Sequence, residues 1–117
     1  MLPGFDGLRF SHWQADLRED GVVVLSLDRL GAAVNAFSHE VLLELEAVVE
    51  RLALDPSKGL VLRSGKANGF IAGADLNEFQ EFDRKGTVND AIHRGQHVFQ
   101  KLAELPCPTV AAIHGFC

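Results

Sequence analysis

No stretch of this sequence is dense in lysine or arginine: eleven such residues stand against sixteen aspartates and glutamates, for a formal charge of −5. Nucleic-acid affinity rests on clustered cations, so this scarcity argues against phosphate-backbone binding as the main role. Long apolar runs are also missing, and nothing approaches the roughly 20 residues that span a bilayer. The opening Met1-Leu2-Pro3-Gly4-Phe5-Asp6 has neither the basic start nor the apolar middle of a secretory signal, which points to a cytoplasmic chain. Cysteine is scarce too: Cys107 and Cys117 form no framework and stand at no metal-ligand spacing, so reduced thiols are the default. What is present is ordinary in balance, 47% hydrophobic and 23% charged, which excludes disorder. A chain of 117 residues hides about two-thirds of its unfolded surface, enough for one packed domain or a piece of one.

Two strands open the pattern, Leu8 to Leu17 and Val22 to Leu27, and Glu19-Asp20-Gly21 between them is an Asp-Gly turn signal that makes the pair a hairpin. Ser38 is placed to cap a helix with apolar residues at Val41, Leu42, Leu45, Val48, Val49 and Leu52, one buried face at spacings of three and four. Glu44, Glu46, Glu50 and Arg51 fall largely off that face and read as its solvated side. Asp55 to Gly59 ends the helix, and Leu60-Val61-Leu62-Arg63 reads as a short buried strand. After a Gly- and Ala-rich segment from Ser64 to Gly73, Asp75 with Glu78 three residues on gives a capping-box start for a helix carrying Phe79 and Phe82. Another helix is expected from about Asn89 to Glu104, with Ile92, Phe99 and Leu102 on one face and Gly95 as its weak point. Pro106 and Pro108 stop it, and Thr109 to Ile113 reads as a further buried strand running into His114-Gly115-Phe116-Cys117. An apolar strand of that kind needs cover on both faces, so a domain continuing beyond residue 117 is expected, with exposed apolar surface around Val110 to Ile113 in these residues alone. No repeat, linker or second domain is visible.

The feature richest in chemistry is Asn68-Gly69-Phe70-Ile71-Ala72-Gly73-Ala74-Asp75. Small side chains let a ligand approach the backbone, and free amides at a helix start face negative charge, which suits an oxyanion. The same residues also suit a tight strand-to-helix turn in which Gly and Ala relieve crowding. A nucleotide P-loop is excluded, because Gly65-Lys66 is followed by Ala67 and Leu60 stands where the first glycine belongs. No Gly-x-Gly-x-x-Gly dinucleotide fingerprint occurs. His93 and His97, four apart on a helix, lack a third ligand nearby and read as a solvated face rather than a metal site. His114 either lines a pocket or is a hydrogen-bonded core histidine. Cys107 reads as a small apolar thiol. Asp75 is a cap or a general base, the cap being the simpler role.

In order and spacing, Ala33-Val34-Asn35-Ala36-Phe37, Gly59-Leu60-Val61-Leu62-Arg63-Ser64, Phe70-Ile71-Ala72-Gly73-Ala74-Asp75-Leu76-Asn77-Glu78-Phe79 and Leu105 to Gly115 resemble the crotonase (enoyl-CoA hydratase/isomerase) superfamily. Gly-Ala-Asp-Leu-Asn-Glu-Phe and the closing Ile-His-Gly-Phe-Cys look most like the N-terminal hydratase/isomerase part of multifunctional fatty-acid oxidation enzymes. The resemblance implies an α/β fold, a partial spiral of strand-strand-helix repeats, in which residues 1–117 are the incomplete N-terminal portion of one domain. It implies hydration of a 2-trans-enoyl-CoA through a thioester enolate, the Ala74 backbone N–H being one of two oxyanion donors. Ala72 and the Asp75-Leu76 backbone would flank the CoA chain, and Ala32, Ala33 and Val34 would border its adenine and pantetheine path. No metal is implied, CoA comes as part of the substrate, and NAD enters only if a dehydrogenase part follows. A homo-oligomer, or a hetero-oligomer with a thiolase subunit, would be the assembly.

Two departures limit this. Many hydratases carry Lys before the Asn-Ala block and after the Ala-Asp pair, where this chain has Ala32 and Asn77, so contacts of those side chains to CoA phosphates do not carry over. The family's second oxyanion donor and its two glutamates follow the stretch matching Val110 to Cys117, so these 117 residues hold half an oxyanion hole and no acid-base pair and are expected to be inactive alone. Isomerase or thioesterase chemistry, or a non-catalytic acyl-CoA-binding or scaffold role, are the alternatives.

Overall fold

A computed structural model describes residues 10–117. Along the chain lie β1 (Trp13–Leu17), β2 (Val22–Leu27), α1 (His39–Leu54), β3 (Gly59–Ser64), α2 (Leu76–Lys85), α3 (Val88–Ala103) and β4 (Thr109–Ala112). The strands form one sheet in the order β1-β2-β3-β4. β1 and β2 are antiparallel, joined through Arg18 to Gly21 with the Gly21 amide on the Arg18 carbonyl at 3.0 Å. Gly21 takes φ +87°, the left-handed conformation this hairpin connection requires. β2, β3 and β4 run parallel, α1 crossing over from β2 to β3 and the α2–α3 pair from β3 to β4. Strand, strand and helix thus occur once, as β1, β2 and α1, and β3 is then followed by two helices before β4.

The core lies between the sheet and α1. β2 alternates, sending Val23, Leu25 and Leu27 inward, and α1 answers with Val41, Leu45, Val48, Val49 and Leu52. Val98 of α3 closes the other side of α1. Ser38 caps α1, its Oγ accepting the Val41 amide at 3.2 Å. Buried Trp13 fastens β1 to the same turn by donating Nε1–H to the Val41 carbonyl at 3.0 Å.

Several expectations change. β1 starts at Trp13, not Leu8; Leu8 and Arg9 lie outside the described residues, and the amides of Ser11 and His12 turn to the Glu44 carboxylate instead of a strand. Glu44 is therefore not solvated face. Nor is Glu46, which meets Arg94 and Lys101 from α3, and Glu40 pairs with the buried His12 ring at 3.0 Å. Of the expected face of α3 only Leu102 packs against the core, beside the buried Val98, while Ile92 and Phe99 are each 39% exposed. β4 ends at Ala112 rather than Ile113; every residue of it is exposed and Val110 stands 57% open, which is the uncovered apolar surface expected of these residues alone, and among the described residues β4 pairs only with β3, at the sheet edge. Cys107 packs against the core as a free thiol, and Cys117 is free and exposed.

Candidate active site

Because β2, β3 and β4 are parallel, the segments following them emerge at one end of the sheet, where open α/β sheets gather ligand-binding loops. The segment after β2 runs from Asp28 to Ser38, the one after β3 from Gly65 to Asp75, and polar side chains bind the two together. Asn35, 1% exposed, sits at the junction. Its Nδ2 faces the Leu27 carbonyl at 2.8 Å, Ser64 Oγ at 2.9 Å and the Phe70 carbonyl at 3.2 Å, and its Oδ1 accepts the Arg29 amide at 2.9 Å. One side chain thereby joins the ends of β2 and β3 to the turn that follows β3. The Lys66 ammonium reaches back to Asp28 Oδ1 at 2.7 Å and to the carbonyls of Arg29 and Ala32 at 3.1 and 2.8 Å. Asn68 Nδ2 holds the Ala33 carbonyl at 3.0 Å.

Against this frame the 72–75 turn pairs with residues 35–37. The Ala72 amide donates to the Asn35 carbonyl at 2.8 Å, Phe37 donates to the Gly73 carbonyl at 2.7 Å, and Asp75 donates to the Phe37 carbonyl at 3.0 Å. In an extended chain the amides of residues 72 and 74 would point the same way. Gly73 at φ +87° breaks that alternation, so Asp75 rather than Ala74 returns to the 35–37 segment. Among the described residues the Ala74 amide donates to no protein acceptor, and neither does that of Leu76, the first residue of α2. Two free amides at a helix start are a place for negative charge.

Asp75 is committed to structure. Its Oδ1 accepts the Asn77 and Glu78 amides at 2.9 and 3.1 Å, and its Oδ2 receives the Arg29 guanidinium. Burial works to raise its pKa, but the Arg29 hydrogen bond, the Glu78 amide, the Arg29 charge and the Asn77 amide hold it below the usual carboxylate value. A carboxylate so engaged is a poor proton acceptor. The capping box is only half made: Glu78 Oε1 takes the His39 amide at 2.8 Å instead of reaching back to Asp75.

Ala74 and Asp75 stand at the edge of an apolar cleft of about 620 Å³ between the start of α1, α2 and α3. Phe37, Leu42, Phe79, Phe82, Ile92 and Phe99 form its walls, Phe37 and Phe99 meeting edge to face at 5.1 Å. This explains the half-open Ile92 and Phe99: they face the cleft rather than the core.

Of the residues singled out from sequence, Ala74 and Asp75 line the cleft, whereas Ala32, Ala33, Val34, Ala72 and Leu76 do not. Ala72 is exposed on the same turn, Leu76 is 76% exposed, and Ala32 and Ala33 belong to the loop held by Lys66 and Asn68. His114 is not core and does not line the cleft; it is exposed, with Nε2 2.9 Å from the Lys66 carbonyl. His93 and His97 are exposed, and among the described residues no three His, Cys, Asp or Glu side chains gather as metal ligands. No helix of the described residues is long and apolar enough to cross a membrane. Sequence reasoning missed Arg29, Asn35 and Lys66 as site-building residues. Asn35 had a signal, a lone amide in the small apolar block Ala33 to Phe37; Arg29 had none, its partner lying 46 residues away.

The model of the enoyl-CoA hydratase/isomerase family matches residues 17–117, and the chain belongs to that family. Among curated relatives, the fatty acid oxidation complex subunit alpha of Shewanella amazonensis is 39% identical over 101 residues, 86% of this chain and 14% of the relative. The protein of the same description from Idiomarina loihiensis is 36% identical over 87% of this chain and 14% of its own length. The chain thus spans about one-seventh of the length of these relatives. An enoyl-CoA hydratase from Bacillus anthracis superimposes with a TM-score of 0.79 at 27% identity, covering 90% of this chain and 40% of that one. One from Mycobacterium smegmatis gives 0.73 at 32% identity over 88% and 40%. The expected crotonase-type fold is therefore the observed one.

Proposed function

We propose that these residues are the N-terminal portion of a hydratase/isomerase domain of fatty-acid β-oxidation that adds water across a 2-trans-enoyl-CoA. The observation that carries the proposal is the Ala74 amide, which has no acceptor among the described residues and stands at the start of α2 and the edge of an apolar cleft. The thioester carbonyl oxygen lies on that amide. As water adds, negative charge grows on this oxygen, and a dipole already fixed in place stabilises the enolate without reorganising. The acyl chain occupies the cleft behind it. Ala72 and the Asp75-Leu76 backbone flank the pantetheine arm, while Ala32, Ala33 and Val34 border the path toward adenine. The curated relatives' descriptions support placing the reaction in fatty-acid oxidation.

By the family resemblance proton transfer falls to two glutamates that follow the matched stretch; of the carboxylates lining the cleft, Asp75 is bound to Arg29 and Glu78 to the His39 amide, and Asp90 stands exposed at its rim. The 117 residues alone are then inactive. The protein needs no cofactor of its own beyond the CoA of its substrate, and NAD enters only through a following dehydrogenase part. It works in the cytoplasm, in a homo-oligomer or with a thiolase subunit, and binds no nucleic acid. The test is hydration of a short 2-trans-enoyl-CoA by the full-length protein and by its Ala74→Pro variant, which lacks the donor. Loss of kcat by roughly 10²–10³ is expected; unchanged turnover in a folded variant refutes the role of Ala74.

A further inference from the structure

The Arg29–Asp75 pair joins the two segments that build the site, yet neither side chain is free to meet substrate: they are 21% and 11% exposed. Arg29 is fixed on both sides of its own main chain, its amide held by Asn35 Oδ1 at 2.9 Å and its carbonyl by the Lys66 ammonium at 3.1 Å. A guanidinium projecting from so constrained a backbone is a rigid anchor. Asp75 divides its carboxylate, one oxygen for Arg29 and the other for the first amides of α2. α2 itself buries no residue, so packing contributes little to where its N-terminus sits. The Ala74 amide shares its peptide plane with the Gly73 carbonyl, which accepts the Phe37 amide at 2.7 Å, and the next amide along, that of Asp75, donates to the Phe37 carbonyl at 3.0 Å, so whatever holds Asp75 in place keeps this turn in register.

We infer that Arg29 is a positioning residue: through Asp75 it holds the amino end of α2 against the loop after β2, and so keeps in place the turn in which the Phe37–Gly73 hydrogen bond aims the Ala74 amide. The inference rests on the reading of Ala74 as an oxyanion donor. Arg29 touches neither substrate nor reacting atoms. It acts only through Asp75, and its removal therefore weakens the transition state more than substrate binding.

The experiment is a double-mutant cycle in the full-length protein with Arg29→Gln, Asp75→Asn and both together, reading kcat and KM for a short 2-trans-enoyl-CoA. Deuterium uptake of peptides spanning residues 74–82 is measured in parallel. Asn at position 75 keeps an oxygen for the helix amides but gives up the ion pair. Expected are a fall in kcat of about tenfold or more in each single variant, smaller than the 10²–10³ loss of a whole donor. KM should stay within about twofold, the double variant should be no worse than the poorer single one, and uptake at 74–82 should quicken. Additive losses, or an effect confined to KM, would overturn the inference by showing that Arg29 meets substrate directly. Faster exchange with unchanged kcat would leave Arg29 a structural residue and likewise overturn it. Should Ala74→Pro keep full turnover, the oxyanion reading falls, while unchanged uptake in Arg29→Gln rejects the anchor independently of that reading.

Discussion

Helix α1 buries Val41, Leu45, Val48 and Val49 completely and α2 buries nothing, although each begins on a side-chain oxygen that takes main-chain amides, Ser38 for one and Asp75 for the other. α1 is held by apolar area on two sides, the sheet and α3. Among the described residues α2 is held at one end by Arg29, Glu78 and the Asp75 amide on the Phe37 carbonyl, while Phe79 and Phe82 along its length face the cleft. Hydrophobic burial is non-directional and tolerates small shifts, whereas a hydrogen-bonded end fixes direction. The first suits a scaffold and the second a point where a dipole must be aimed.

Breaking the scaffold side should give the largest effect. Leu45→Ala removes a fully buried side chain from the centre of α1 and is expected to cost about 2–5 kcal/mol, read from the urea midpoint. The corresponding cut on the polar side is Asn35→Asp. It puts an acceptor where the Leu27 and Phe70 carbonyls now meet Nδ2, and each buried carbonyl left without its donor costs roughly 1–3 kcal/mol. A stability within error of the native protein would show that Asn35 is replaceable and that Lys66 and Asn68 suffice to join the loops.

The same contrast decides what could be read from sequence. Ser38 and the spacing of Val41, Leu45, Val48, Val49 and Leu52 located α1 and its buried face, because helical periodicity is a local signal. The Asp-Gly hairpin and the Asp75 cap were equally local and are present. Burial set by distant partners was not legible. Thr109 to Ile113 was the exception: its inner-strand composition already implied that its cover lay elsewhere, and among the described residues only β3 lies beside it. Glu44 has the helical phase of a solvated residue but accepts the amides of Ser11, His12 and Trp13, more than thirty positions away. At the site, the 72–75 turn was visible as small residues before a cap. Its frame of Arg29, Asn35 and Lys66 was not, since each acts through contacts that no spacing encodes.

Smaller effects sharpen the comparison at the turn. Gly73 is left-handed with open space where a Cβ would stand, so Gly73→Ala meets strain but no clash. About 1–2 kcal/mol of stability should be lost. Turnover of the full-length protein should fall further, up to about 100-fold, because the strain relaxes by turning the Ala74 amide. Equal native kcat would mean that the direction of this amide does not matter. Acid separates the two regions in another way. The folded pKa of Asp75 lies below its unfolded value near 3.8, so the unfolded chain binds the proton first. The contribution of Asp75 is complete above that value and is lost as pH falls through the lower, folded one. Protection at residues 74–82, measured against the intrinsic exchange rate at each pH, should therefore fall below about pH 4 before protection in α1 does, and Arg29→Gln should already lower it at higher pH.

The smallest expected effect on the fold falls at Leu76, and it separates stability from binding. Leu76 is 76% exposed at the first position of α2 and packs on no core residue, so Leu76→Ala should change stability by no more than about 0.5 kcal/mol. An apolar side chain left this open beside a free amide has no folding reason to be apolar. If the pantetheine arm runs along the Asp75-Leu76 backbone, the same substitution removes apolar area that the arm covers. KM for the acyl-CoA should then rise severalfold while kcat holds, because that contact is made equally in ground and transition states. An unchanged KM would move the CoA path away from α2, toward the loop that carries Ala32, Ala33 and Val34.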